Sequence, residues 1–108
     1  MKKHSWRTEG GFENPHGIQA QRLYDAAEAE IIHMFLSPGQ VVKPHFTPVN
    51  VSFYVLEGEL EITIGDEIET IGRDFLVESP ANIAHSLRNI SASNARVLVI
   101  KHPKPAKR

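Results

Sequence analysis

Strand patterning dominates the chain from residue 30 onward. Leu60, Ile62 and Ile64 alternate with Glu59, Glu61 and Thr63, which predicts a strand with one wet face. Val51, Phe53 and Val55 alternate in the same way within VSFYVL and are expected to share a face turned to the core. Residues 30–36 (EIIHMFL) are β-branched and apolar, and the turn sequence Ser37-Pro38-Gly39 closes them. Gly65-Asp66 predicts a hairpin turn into a strand over 68–71, and further strands are expected over 74–77, 85–90 and 96–100. Only 23–31 (LYDAAEAEI) has helix-favouring composition; short and uncapped, it is expected to form no more than one helical turn.

Short strands punctuated by Gly, Pro and Asn predict an all-β fold, a small antiparallel β-barrel or jelly roll of two packed sheets in a single domain. The expected partition is an N-terminal arm over 1–29, a barrel core over 30–101 and a flexible basic tail over 102–108. Small barrels fill their interiors with side chains, so Met34, Phe35, Phe53, Phe75 and Leu87 are expected as filling. Trp6 and Tyr54 are expected on the outer surface or at an interface, and the outward positions Tyr54 and Leu56 predict a homodimer contact.

Composition narrows the function. Twelve Lys and Arg against thirteen Asp and Glu give a net charge of −1, which supplies no electrostatic drive toward nucleic acid or an anionic membrane. The absence of cysteine excludes disulfides, thiolate nucleophiles and Cys-ligated zinc. No apolar run approaches the roughly 20 residues of a membrane span, and MKKHSWRTEGG lacks the apolar region of a signal peptide, so a cytoplasmic protein is expected. Neither G-x-S-x-G nor a phosphate-binding G-x4-G-K-[ST] occurs.

Two histidines remain as the candidate chemistry. Gly39 is followed by five residues and His45, then Thr47, Val51 and, after six intervening residues, Gly58. Downstream, Pro80, Asn82, His85 and Asn89 follow Gly72. These stretches resemble the two motifs of the cupin superfamily, G-x5-H-x-H-x3/4-E-x6-G and G-x5-P-x-G-x2-H-x3-N. In that register Thr47 stands at the second histidine, Val51 at the glutamate and Asn82 at a glycine, while Gly72 lies two residues too far upstream. The stretch HFTPVNVSFYVLEG, with Asn14-Pro15-His16-Gly17 and Arg22-Leu23-Tyr24-Asp25, also looks like a group of small prokaryotic cupins.

The resemblance implies a barrel with His45 and His85 in its mouth and a ligand pocket that includes Thr47, Val51, Asn82 and Leu87. It also implies a metal site in which His45 and His85 are ligands and His16 or His33 is the third. The cofactor expectation is one divalent transition metal (zinc, iron, manganese or nickel) or none, since Thr47 is a poor ligand and Val51 is none. Two readings stay open. One is a metal-dependent enzyme of dioxygenase or isomerase type acting on a small polar metabolite. The other is a metal-free module that binds a small ligand without catalysis, and metal-free acid–base isomerisation ranks behind both.

Overall fold

The structure, a computed structural model, describes residues 1–106. Lys107 and Arg108, part of the expected basic tail, lie outside the described residues. Nine strands form among the described residues: β1 (Gln19–Ala26), β2 (Ala29–Leu36), β3 (Val41–His45), β4 (Asn50–Glu57), β5 (Glu59–Ile64), β6 (Glu67–Gly72), β7 (Leu76–Ser79), β8 (His85–Arg88) and β9 (Ala95–His102). They pair antiparallel into a five-stranded sheet ordered β1-β2-β9-β4-β7 and a four-stranded sheet ordered β3-β8-β5-β6. No helix is long and apolar enough to cross a membrane among the described residues.

The period-two alternation becomes the core. Ile32, Met34 and Leu36 of β2, Val51, Phe53 and Val55 of β4, and Ala95, Val97 and Val99 of β9 are buried on one sheet. Leu60 and Ile62 of β5 and Leu87 of β8 meet them from the other. Burial at about 25 cal/mol per Å² of apolar surface drives this packing, and alternation fixes which face of each strand turns in. The expected inward face of β4 and the Gly65-Asp66 turn, with Ile64 opposite Glu67, both hold.

Several expectations are corrected. Residues 23–31 form no helical turn; they make the hairpin between β1 and β2, where Ala26 pairs Ala29. Helix propensity is a weak preference, and it loses here to seven register pairs between β2 and β9 that run from Glu30–Lys101 to Leu36–Ala95. Phe75 does not fill the barrel: it precedes β7 and is 64% exposed, after a turn in which Asp74 takes a left-handed φ of 72°. Within the expected tail, residues 102–105 are built into the fold. His102 ends β9 opposite Asn50, the backbone N–H of Lys104 donates to Ala27 O at 3.2 Å, and Pro105 is buried.

Trp6, in the N-terminal segment, lies against the outer face of the five-stranded sheet. The Trp6 ring stacks on His33 at 4.7 Å and on Phe35 at 5.8 Å, with the Arg96 guanidinium 4.8 Å from its centre. Phe35 is therefore an outer residue, set by its odd position between inward Met34 and Leu36.

Candidate functional site

His45 on β3 is the direct cross-strand partner of His85 on β8, which puts both imidazoles on one face. Their rings meet edge-on at 4.6 Å, with Nε2 to Nε2 at 3.3 Å. The hydrogen bonds around the pair set the direction of each contact. His45 Nδ1 lies 2.9 Å from the Lys43 carbonyl, which only accepts, so His45 carries its proton on Nδ1 and accepts at Nε2. His85 therefore donates from Nε2 to His45, and its Nδ1 accepts from the Ser79 hydroxyl at 2.8 Å. Thr47 Oγ1 lies 3.4 Å from the same His85 nitrogen.

His85 is 4% exposed, with the Phe53 ring edge-on at 5.1 Å. Burial first, then the neighbouring His45 and the Lys101 ammonium, push its pKa down to about 4, so it is neutral near pH 7. His16 approaches from the N-terminal segment, its ring 5.2 Å from that of His45. Asn14 shapes that loop: its Oδ1 accepts from the backbone N–H groups of His16 and Ile18 and its Nδ2 donates to Ile18 O at 2.7 Å. His16 Nδ1 accepts the backbone N–H of Lys43 at 3.2 Å, which places its proton on Nε2. Its pKa is lowered by burial, then by His45 and Lys43.

These imidazoles line a cavity of about 480 Å³ inside the barrel, within the usual size range of small-molecule sites. Its walls are mostly apolar, with Ile32, Met34, Val42, Val51, Phe53 and Leu87 forming the body. Of the expected pocket residues, His45, Thr47, Val51, His85 and Leu87 are brought together here. Asn82 is not: it is exposed, holds a φ of 64°, and its backbone N–H donates to Thr47 O at 2.8 Å. It stands where the motif has glycine because Asn tolerates the left-handed region, so its contribution is to the turn.

His33, proposed as a third ligand, lies on the opposite face of β2. Ile32 and Met34 on either side of it line the cavity, and alternation sends His33 outward, where Trp6 covers it completely. Arg96 Nε donates to its Nε2 at 3.0 Å, so its Nδ1 proton goes to Gln21 Oε1 at 2.9 Å. Sequence reasoning also passed over Ser79, Arg22, Glu30 and Lys101. The signal for Glu30 and Lys101 was present: Glu30 shares parity with Ile32 and Met34, and Lys101 with Val97 and Val99.

The donor set bears on metal binding. Two nitrogens at about 2.0–2.1 Å from a tetrahedral zinc lie roughly 3.3–3.4 Å apart, so the His45 and His85 nitrogens at 3.3 Å would suit two vertices. The set stops there. His16 carries its proton on Nε2 and uses its other lone pair, and His33 is outside the barrel. Among the described residues no group of three His, Asp or Glu is arranged to hold an ion. The Lys101 field that disfavours a proton on His85 disfavours a dication more strongly. The residues present do not fit a three-ligand catalytic metal centre.

A family model described as a cupin domain matches residues 32–101. The chain belongs to the cupin family. Among solved structures, this cupin is similar to TT1209 from Thermus thermophilus, with 30% identity, a TM-score of 0.79, and coverage of 85% of this chain and 89% of that one. It is also similar to KdgF from Halomonas sp., at 15% identity and a TM-score of 0.86 over 98% of this chain and 96% of that one. A third is the polyketide cyclase RemF from Streptomyces resistomycificus, at 20% identity and a TM-score of 0.84 over 99% of this chain and 82% of that one. The last two likenesses show the fold alone. No curated protein matches the sequence.

Proposed function

We propose that this cupin binds a small organic molecule inside its barrel, without a resident metal, and that the His45–His85 pair forms an oriented polar wall at one end of the pocket, beside the Thr47 hydroxyl and the His16 imidazole. The carrying observation is the mostly apolar cavity of about 480 Å³ that ends on a chain of oriented hydrogen bonds from Ser79 through His85 and His45 to the Lys43 carbonyl. All four ring nitrogens of the pair are engaged in that chain, so the groups at this end that can meet a ligand hydroxyl or carbonyl are the Thr47 hydroxyl and the His16 Nε2–H. Val51 in place of a carboxylate keeps that end of the pocket dry.

One observation favours a second reading, a metal-dependent enzyme of dioxygenase or isomerase type: the 3.3 Å approach of the two Nε2 atoms. Elemental analysis of purified protein decides between them. The expectation is metal far below one atom per chain, unchanged in His45→Ala and His85→Ala, together with thermal stabilisation by members of a small-metabolite panel. Stoichiometric metal that disappears in His45→Ala would overturn the metal-free reading. The proposal also takes the protein as a cytoplasmic homodimer, joined through the apolar outer positions around Tyr54; cell fractionation tests the first part.

A further inference from the structure

Another wall of the cavity carries a different chemistry. Glu30 on β2 and Lys101 on β9 are cross-strand partners, and both have the parity of residues that face into the barrel. Glu30 is 1% exposed, with Oε2 2.8 Å from Arg22 Nε and Oε1 3.6 Å from Lys101 Nζ. Arg22 and Lys101 both line the cavity, whereas Glu30 does not. The carboxylate thus sits behind the two cations and braces them, and what it braces toward the interior is positive. The Arg22 guanidinium also lies 4.5 Å from the Phe12 ring centre, another lining residue, which restricts its rotation. Among the described lining residues the one carboxylate is Glu13, which is exposed at the rim.

Lys101 also lies opposite Val51 on β4, the position beside the histidine end. The ammonium and the imidazoles therefore address one compartment. A cation in a mostly apolar, half-closed pocket attracts an anion far more strongly than it would in water, because little solvent screens it.

We propose that the natural ligand is an organic monocarboxylate with an apolar body and a hydroxyl or oxo group: its carboxylate sits on Arg22 and Lys101, its body on the apolar walls, and its second oxygen on the Thr47 hydroxyl and the His16 Nε2–H beside the histidine pair. This rests on the small-molecule pocket proposed above and adds the charge and polarity of its ligand. Glu30 is a positioning residue that holds the two cations at the wall.

The test is titration calorimetry on the full chain with phenylpyruvate, cinnamate and octanoate, the neutral counterparts of the last two (cinnamamide, octanamide), and inorganic phosphate. The acids are expected to bind, the amides to bind more weakly, and phosphate to give no heat, since it brings no apolar body. Lys101→Met should weaken the acids roughly tenfold or more while leaving the amides within about twofold, and raised salt should weaken only the acids. Amides binding as tightly as acids on the native protein overturns this inference while leaving the pocket reading intact. Should Lys101→Met misfold, that native comparison and its salt dependence still decide the matter. If neither acids nor amides bind, both readings fall.

Discussion

At the residue scale, the two buried imidazoles have opposite surroundings and one shared consequence. His85 lies inside the barrel and His33 outside it beneath Trp6, yet each has a pKa pushed down to about 4, His85 by burial, His45 and Lys101, and His33 by burial and Arg96. Each already receives a hydrogen bond at one ring nitrogen, from Ser79 and Arg96 respectively, so protonation breaks a contact as well as burying a charge. In the unfolded chain both titrate near 6.5. Between that pH and about 4 the unfolded chain binds more protons than the fold, so stability is fully present above pH 6.5 and falls as pH drops toward 4. The two sites together lower stability by several kcal/mol, on the order of 3 kcal/mol each. Urea midpoints measured from pH 7 to 4 check this: a steep decline is expected, and His33→Gln should remove about half of the slope while lowering stability at pH 7. A midpoint flat across that range would contradict the assigned neutral states.

At the scale of elements, a single residue joins the two sheets at one corner. β4 ends at Glu57 in the five-stranded sheet, β5 begins at Glu59 in the other, and Gly58 between them holds a φ of 73°. A Cβ there would fall on the Asn94 carbonyl oxygen and crowd Ala95 at the start of β9. Gly58→Ala is therefore expected to cost roughly 2 kcal/mol or more, from the left-handed backbone and the clash together, read as a lowered melting temperature. Gly39→Ala, with a φ of 88° and no atom near its Cβ, should cost less, because only the backbone term remains. The same elements explain what the sequence disclosed. β4 and β5 were legible because Val51, Phe53 and Val55, and Leu60 and Ile62, recur at every second position and turn to the core. β1 was not, since its register shifts between Arg22 and Tyr24 and an edge strand carries little pattern. In the site, His45, Thr47, Val51, His85 and Leu87 could be found from motif spacing. Glu30 and Lys101 carried a parity signal that their charge masked, since charged residues near strand ends read as solvent-facing until the pairing of β2 with β9 sets them beside each other; Arg22 carried none, because it lies on β1, whose pattern is weak.

At the scale of the whole molecule, the outer face of the five-stranded sheet is covered at one side only. Trp6 shields His33 and Phe35, but the row that continues from His33 through Leu98 and Tyr54 to Leu76 passes out from under it. Leu76 is 51% exposed and its neighbour Phe75 is 64% exposed, and β7, which carries Leu76, is an edge strand of that sheet. Apolar side chains beside an unpaired edge invite association, and two copies of one face related by a twofold axis bury both rows at once. Sedimentation equilibrium at micromolar concentration is expected to give twice the chain mass. Leu76→Lys should shift the protein to monomer with an unchanged far-ultraviolet spectrum, since a half-exposed edge position contributes little to the core. The cavity opens on the other side of this sheet, so the monomeric variant should still bind whatever stabilises the native protein. A monomeric native protein rejects the dimer; a Leu76→Lys variant that remains dimeric moves the contact to another face.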